Sequence, residues 1–313
     1  MHDVHFHPTG ELCLTAGYDK TLRFFAVDGE NNPKIHGVFF PDLPITCASF
    51  VNGGSSVVLS GRRPFFYTYD VTSGVVEKIP KIAGRKEKSL EKFIPSPDGR
   101  IAAFVGADGY IILVSCSTWE WIGEVKMAGT CRAVAFSPCS TYLHGSGSDG
   151  DVYRWDVRRL GGVGVGRFKN EDGSVTASLA VSAGFTAVGA ESGVVNLYDD
   201  QRSVANPYNF TAMQAAVPEV RKPYKSIFNI STSADYMKFN HTGEILAIAS
   251  RREKDTLKLV HMPTGNVFQN WPTTKTPLGY VWSLDFSPKS GYVAMGNDKG
   301  KCLLYRLGHF NES

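Results

Sequence analysis

The sequence predicts an all-β fold in which short strands repeat around a ring, and three observations support this. An aromatic residue followed by a turn recurs at regular intervals along the chain. Each recurrence precedes a short apolar run and then a second turn that contains Asp or Gly. No sustained apolar pattern with the helical period of 3.6 residues competes with these runs. We therefore expect antiparallel strands joined by tight turns and very little helix.

The recurring aromatic residues give the number of repeats. They are Phe6, Phe50, Phe93, Phe136, Phe239 and Phe286. Their successive spacings are 44, 43, 43, 103 and 47 residues. The longest spacing accommodates one more, degenerate unit that begins near Leu179, which makes seven units. A period of roughly 40 to 47 residues built from short strands is typical of β-propeller blades.

The third strand of several units ends in an aromatic residue followed by Asp, as in Tyr69-Asp70, Trp155-Asp156 and Tyr198-Asp199. This ending is typical of the WD40 repeat. We therefore expect residues 1–313 to form a single seven-bladed WD40-type β-propeller, with blades that begin near residues 4, 46, 90, 132, 175, 234 and 281. Residues 200–223 are expected to be an insertion between the third and the outer strand of blade five.

The count of strands leaves the last blade incomplete. Seven four-stranded blades require 28 strands, and the sequence provides about 27 recognisable ones. The missing strand is the outer strand of blade seven, beyond residues 302–307. An uncovered strand edge is prone to association. We therefore expect the chain to be a segment of a longer protein.

Composition excludes several functional classes. The formal charge of +3 on 313 residues is too small for a protein whose main role is to coat phosphate. No apolar run approaches 18 residues, so no membrane partner is expected. The eight histidines and six cysteines form no recognised metal or catalytic motif. We therefore predict a protein that is not an enzyme, with no catalytic residues, no cofactor and no metal.

Basic residues are concentrated in three connections that should emerge on one face of a propeller. They are Arg62 and Arg63 in blade two, Lys81, Arg85, Lys86 and Lys88 before blade three, and Arg251, Arg252 and Lys254 in blade six. Glutamates and aspartates are interspersed among them. The cluster is either a solvated surface of mixed charge or a binding site for RNA phosphates or an acidic protein.

The insertion at residues 200–223 is polar and contains three prolines. It is either a mobile connection or a partner-binding loop. In the second interpretation, Phe210, Met213 and Val217 are the side chains expected to contact a partner.

Several stretches carry a more specific resemblance. The run from Asp285 to Lys301 closely resembles the last blade of the U3 small nucleolar RNA-associated protein 18 family. Residues 242–250 and 259–263 in blade six, residues 27–35 in blade one and residues 86–88 before blade three are also similar to that family. The resemblance extends over essentially the whole chain.

This resemblance implies a WD40-repeat subunit of the UtpB complex in the nucleolar small-subunit processome, which acts in pre-18S rRNA processing. The implied partners are other UtpB and processome subunits, with U3 snoRNA and pre-rRNA as part of the particle. The family also has an N-terminal extension that recruits an exosome-associated helicase, and we expect that extension, and therefore the helicase contact, to be absent here. The implied location is the nucleus and nucleolus. A generic WD40 peptide-binding adaptor of a ubiquitin-ligase or chromatin complex is the alternative function.

Overall fold

The computed structural model describes residues 1–159, 166–200, 219–272 and 276–310, with only the backbone for residues 219 and 220. In these residues the chain forms seven β-sheets and no α-helix; a 3-10 turn covers Asn52–Gly54. The predicted seven-bladed β-propeller is confirmed.

Blades one to three are four-stranded antiparallel sheets in sequential order. Blade one contains β1 (Asp3–Phe6), β2 (Leu12–Ala16), β3 (Thr21–Ala26) and β4 (Lys34–Phe39). Blade two contains β5 (Cys47–Val51), β6 (Ser56–Ser60), β7 (Phe66–Asp70) and β8 (Val76–Ile79). Blade three contains β9 (Phe93–Pro95), β10 (Ile101–Val105), β11 (Tyr110–Ser115) and β12 (Trp121–Lys126).

Among the described residues of the remaining blades, blade six keeps this regularity, whereas blades four, five and seven depart from it. Blade four contains β13 (Cys131–Phe136), β14 (Tyr142–Gly147), β15 (Asp151–Asp156) and β16 (Gly166–Lys169). Blade five contains β17 (Thr176–Val181), β18 (Phe185–Ala190), β19 (Val195–Asp199) and, after β20 (Glu219–Val220), β21 (Lys225–Ile227). Blade six contains β22 (Tyr236–Phe239), β23 (Ile245–Ala249), β24 (Leu257–His261) and β25 (Asn266–Val267), and blade seven contains β26 (Val281–Phe286), β27 (Tyr292–Asn297) and β28 (Cys302–Arg306).

The end of the blade-five insertion forms an unexpected strand. Strand β20 pairs in parallel with β16, so blade four has five strands. Two residues are too few to produce an alternating pattern, so this strand could not be predicted from the sequence. In the described residues blade seven has three strands, and its outer edge at β28 is unpaired.

Alternation along the inner strands explains how the ring packs. In β1, Val4 and Phe6 are buried in the apolar layer between blades, whereas the side chains of Asp3 and His5 point to the opposite side, into the central channel. Apolar side chains of neighbouring blades therefore form the core as layers between blades.

Tight turns hold adjacent blades close together. Gly193, in the β18–β19 turn, has a φ of 91°, and a Cβ there would lie 2.4 Å from the carbonyl oxygens of both Ile230 and Thr232. Only glycine fits both the backbone conformation and the space.

Candidate interaction surfaces

The three basic groups lie on one face of the ring. We call this the top face, because the inner strands begin there and the second-to-third-strand turns and the blade-to-blade connections lie on it. Residues 62 and 63 lie in the β6–β7 turn, residues 81–88 in the β8–β9 connection, and residues 251–254 in the β23–β24 turn. Together they form what we call the basic rim.

The first two groups of the basic rim are joined through residues 90 and 91, at the end of the β8–β9 connection. The backbone N–H of Leu90 donates to the carbonyl oxygen of Arg63 at 2.9 Å. The Arg62 Nε also donates to the Glu91 carboxylate at 2.8 Å. The turn of blade two and the connection to blade three therefore form one continuous surface.

Two arginines of the basic rim are bound within the protein. Arg85 is 17% exposed and pairs with both Glu87 and Glu124. Arg251 donates to the Trp282 carbonyl oxygen at 2.9 Å and lies over the indole ring. Because the Arg85 NH1 and NH2 groups and the Arg251 Nε and NH2 groups already donate within the protein, these two arginines contribute mainly to the packing of the top face.

The lysines of the basic rim are more available to an external ligand than Arg85 and Arg251. Lys81, Lys86 and Lys88 are exposed, and within the described ranges none of them forms an ion pair or a hydrogen bond. Lys254 is exposed over the Tyr280 ring, and Arg252 lies 3.9 Å from the Glu191 carboxylate. The β8–β9 connection is therefore the part of the rim best suited to a negatively charged ligand.

Lys92 adds positive charge where the central channel opens on the top face. Its ammonium group reaches water in the channel but is surrounded by channel wall, and it donates to the Arg132 carbonyl oxygen at 2.8 Å. Burial by the wall, followed by the nearby Arg251, lowers the pKa of Lys92.

A charged cluster inside the channel joins blades one, six and seven. The His5 ring lies between two carboxylates, with Nε2 3.1 Å from Asp3 and Nδ1 3.4 Å from Asp285. Lys238 contacts the other oxygen of Asp285 at 2.6 Å. Asp3 also accepts the backbone N–H of Ala48, and Asp285 accepts that of Phe6, both at 2.9 Å. Each carboxylate thus links its own blade to the next one.

The two central groups of this cluster have strongly shifted pKa values. Burial alone would lower the pKa of His5, but the Asp3 charge and hydrogen bonds to both carboxylates raise it to about 9. Burial alone would raise the pKa of Asp285, but Lys238 and His5 lower it to about 2. His5 is therefore a cation and Asp285 an anion at neutral pH.

Sequence reasoning did not identify this cluster, although a signal was available. The four residues occupy channel-facing positions of inner strands, where a charged residue interrupts an otherwise apolar segment. The charges meet only once the ring is closed, because His5 of blade one contacts Asp285 of blade seven, at the other end of the sequence.

A cleft of about 410 Å³ opens on the top face between blades one and seven. The rings of His2, Tyr18 and Trp282 line it, and the His2 and Tyr18 ring centroids are 3.8 Å apart. The hydroxyl of buried Thr15 lies in its wall without a hydrogen-bond partner among the described residues.

The candidate partner loop is described only at its ends. Phe210, Met213 and Val217 lie outside the described residues. At the loop's end, the Arg221 guanidinium donates to the Asp200 carboxylate and the Asp199 carbonyl oxygen at 3.0 and 3.1 Å. It also lies over the Phe168 ring of blade four. Arg221 therefore fixes the base of the loop between blades four and five.

The described ranges contain no candidate metal centre. No set of three or more His, Cys, Asp or Glu side chains there is arranged to hold a metal ion. None of the helical segments in those ranges has the length and apolar character needed to cross a bilayer.

Comparison with known proteins gives two findings. The family described as "WD domain, G-beta repeat" matches residues 1–25 and 124–156. The whole chain is 42% identical to the Arabidopsis thaliana "U3 small nucleolar RNA-associated protein 18 homolog" and 37% identical to the Homo sapiens homologue. Over 99% of its length it is 30% identical to the Saccharomyces cerevisiae "U3 small nucleolar RNA-associated protein 18".

The chain spans 55%, 54% and 58% of the length of these three relatives. The similarity covers all seven blades rather than a single repeat, and it agrees with the stretches that carry the resemblance in the sequence. The chain belongs to the U3 small nucleolar RNA-associated protein 18 family.

Proposed function

We propose that this propeller is a non-enzymatic scaffold subunit of the nucleolar small-subunit processome, where pre-18S rRNA is processed. In this proposal it joins the UtpB subunits through its loops and contacts RNA of the particle through the basic rim. The names of its relatives, which associate them with U3 small nucleolar RNA, support this assignment. A rigid ring that displays several surfaces raises the effective concentration of its partners without catalysing a reaction.

The observation that carries the RNA contact is the set of free cations on the β8–β9 connection. Lys81, Lys86 and Lys88 are exposed and unpaired within the described residues. Their ammonium groups can approach phosphates without first breaking an ion pair, so the energetic cost of binding is low. Arg62 and Arg63 contact Leu90 and Glu91 at the end of the same connection and extend the basic rim toward blade two.

The test replaces Lys81, Lys86 and Lys88 together with Glu and measures binding of a fluorescent single-stranded RNA across a salt series. A plot of log K against log salt has a negative slope, and each lost phosphate contact makes that slope less steep by about 0.7. The slope of the triple variant should therefore be less steep than that of the wild type by about 2. We expect affinity at low salt to fall at least tenfold.

The matched control replaces Arg100, Lys289 and Lys222 with Glu, which changes the net charge by the same amount. All three are exposed, and Arg100 and Lys289 lie in turns on the opposite face. This control should retain most of the affinity. Equal losses in the two triple variants would mean that RNA responds only to net charge, and the basic rim would then not be the binding site.

A further inference from the structure

The cleft on the top face between blades one and seven, which we call the aromatic cleft, has the chemistry of a ligand-binding site. The His2 ring contacts both Tyr18 and Trp282, with ring centroids 3.8 and 4.6 Å away, so the three rings form one surface. The Tyr18 side chain is half exposed. The cavity of about 410 Å³ lies within the usual range of small-molecule pockets, about 300–1,000 Å³.

The turn of blade one does not itself require an aromatic residue. Tyr18 lies two residues before Lys20, which has a positive φ of 61° in the β2–β3 turn. The equivalent turns of blades three, four, five and seven have a glycine of positive φ, and the residue two positions before it is small or polar. Those residues are Ala107, Ser148, Glu191 and Asp298. Tyr18 is therefore an addition to the repeat.

Trp282 is presented by a β-bulge. The register between β26 and β27 shifts between Val281 and Ser283, so Trp282 is the extra residue on the inner strand. Such a bulge changes the direction of a side chain. The same bulge in blades four and five carries Arg132 and Ala177. The repeat therefore does not require tryptophan at this position either.

The charged side chains that line the aromatic cleft cancel one another. They are the carboxylates of Asp19 and Asp298 and the cations of Arg23 and Lys299. Asp19 and Arg23 form an ion pair at 2.5 Å. Burial, followed by the charge of Arg251, lowers the pKa of His2 to about 4, so its ring is uncharged at neutral pH. The lining therefore favours a neutral group over a phosphate or an ammonium.

A buried hydroxyl gives the aromatic cleft a polar contact. Thr15 is 1% exposed, and its hydroxyl lies in the wall without a hydrogen-bond partner among the described residues. Buried polar groups rarely remain unsatisfied. A ligand with donors or acceptors along its edge would supply the missing bond. Nucleobases combine such an edge with a flat face that stacks on aromatic side chains.

The basic rim borders the aromatic cleft on the side of blade six. Arg251 donates to the Trp282 carbonyl oxygen at 2.9 Å and lies over the indole ring. Lys254 is exposed in the same turn of blade six. A ligand in the cleft therefore has cations beside it.

The basic rim also borders the aromatic cleft on the side of blade two, through two residues of the connection between blades one and two. The N–H of Ile45 donates to the carbonyl oxygen of Gly17, next to Tyr18, at 3.2 Å. A Cβ on Gly61, which precedes the blade-two group of the basic rim, would lie 2.4 Å from the Pro44 carbonyl oxygen. Cations on both sides of a neutral cleft favour a polyanion with neutral bases over a peptide.

We propose that the aromatic cleft binds one unpaired base of a single-stranded RNA whose neighbouring phosphates contact the basic rim. The base stacks on the Tyr18 and Trp282 rings, and its edge forms a hydrogen bond with the Thr15 hydroxyl. This inference rests on the proposed RNA contact at the basic rim and adds recognition of a base to it.

The test compares two fluorescent single-stranded oligomers of equal length, one RNA of mixed sequence and one with a stable abasic residue at every position. The wild-type chain should bind the mixed oligomer at least tenfold more tightly than the abasic one, because stacking contributes only to the first. Tyr18→Ala should reduce this preference to less than threefold and leave the affinity for the abasic oligomer unchanged. Equal binding of both oligomers to the wild type, or a preference that Tyr18→Ala leaves intact, would overturn the proposal.

Two matched sets of variants check the assignment. Trp121→Ala removes an aromatic side chain that is 44% exposed on the opposite face, and should leave the preference unchanged. A loss as large as that of Tyr18→Ala would contradict a site in the aromatic cleft. Thr15→Val removes the hydroxyl and should weaken binding of the mixed oligomer about fivefold, whereas Thr15→Ser should bind like the wild type. Equal binding by the Val and Ser variants would overturn the hydrogen bond to the base.

The variant with Glu at positions 81, 86 and 88 separates this inference from the proposed function. It should weaken binding of both oligomers by the same factor and keep the preference between them. If it does so but the wild type shows no preference, the contact at the basic rim stands and the aromatic cleft is not a base site. If it binds both oligomers like the wild type, the contact at the basic rim is wrong.

Other ligands predict different results. Competition by adenosine monophosphate at the concentration of the oligomer itself would assign the aromatic cleft to a free nucleotide. Chemical-shift changes at Tyr18 caused by N-acetyltryptophan amide, but not by the mixed oligomer, would assign it to an aromatic side chain of a partner protein. Either result would overturn recognition of an RNA base.

Discussion

The seam between blades two and three and the seam between blades seven and one are stabilised by different forces. At the first, Phe66 and Phe93 both pack against Phe104, with ring centroids 5.1 and 5.2 Å away. Its buried apolar cluster includes Ile82 and Leu90 from the β8–β9 connection. At the second, the buried apolar cluster comprises only Val4, Phe6, Cys13 and Ala294 among the described residues.

The second seam is instead joined by charge. Asp285 of blade seven accepts the backbone N–H of Phe6 and lies beside His5, both in blade one. The comparison shows that a ring can close with a small apolar seam when buried charges with short, well-satisfied contacts connect the inner strands. Apolar burial does not depend on pH, whereas ion pairs do, so the two seams should respond differently to mutation and to titration.

The largest expected effect is at the seam between blades two and three, which we call the apolar seam. Phe104→Ala removes a fully buried ring from the centre of the aromatic stack. Loss of transfer energy together with the cavity left behind should lower the free energy of unfolding by about 4 kcal/mol. Urea denaturation at pH 7 and pH 9 measures this, and the loss should be the same at both. A loss below about 1 kcal/mol would mean that the seam relaxes around the cavity.

The second-largest expected effect is at the seam between blades seven and one, which we call the charged seam. Asp285→Ala leaves the N–H of Phe6 without its acceptor and removes a counter-ion from His5 and Lys238. We expect the free energy of unfolding to fall by about 3 kcal/mol, less than for Phe104 because Lys238 can turn toward water. Asp285→Asn, which preserves an acceptor for Phe6, should lose less. Equal losses in the Ala and Asn variants would show that the charge, rather than the backbone hydrogen bond, dominates.

The smallest effect is the pH dependence of the charged seam. The pKa of His5 is raised from an unfolded value near 6.5 to about 9. Its contribution is therefore fully present below pH 6.5 and is lost as the pH rises through about 9. The pKa of Asp285 is lowered to about 2, so its contribution is present above about pH 3.8 and is lost as the pH falls toward 2.

Between pH 6.5 and pH 9.5 the free energy of unfolding of the wild-type chain should fall by about 2 kcal/mol. This is less than the full pKa shift of His5 implies, because the His5 side chain is partly accessible to water. His5→Gln should flatten this part of the stability curve, and Phe104→Ala should leave its slope unchanged. Urea denaturation across the pH range measures all three chains. A slope that persists in His5→Gln would assign the titration to another group.

Much of the architecture could be predicted from the sequence. The spacing of Phe6, Phe50, Phe93 and the later anchors predicted seven blades because each blade repeats the same strand and turn pattern. The unpaired outer edge of β28 in the described residues agrees with the strand count made from the sequence. Strand β20 could not be predicted, because it pairs with blade four although it lies within the blade-five insertion.

The candidate site was predicted in part. The clustering of basic residues on one face followed from propeller topology, since turns after second strands and connections between blades emerge together. The sequence could not show that Arg85 and Arg251 are bound within the protein while Lys81, Lys86 and Lys88 have no ion pair or hydrogen bond in the part of the chain that the structure describes. That difference depends on Glu124 and Trp282, which come from other parts of the chain.

By itself, the sequence determined the repeat, the alternation within each strand and the resemblance that indicated the family, because all three are local patterns. Only the tertiary structure decided which charges meet. Asp3, His5, Lys238 and Asp285 are separated by up to 282 residues in sequence, yet they lie within hydrogen-bonding distance because the ring brings the first strand beside the last blade. Ring closure is a property of the whole chain, and no local pattern encodes it.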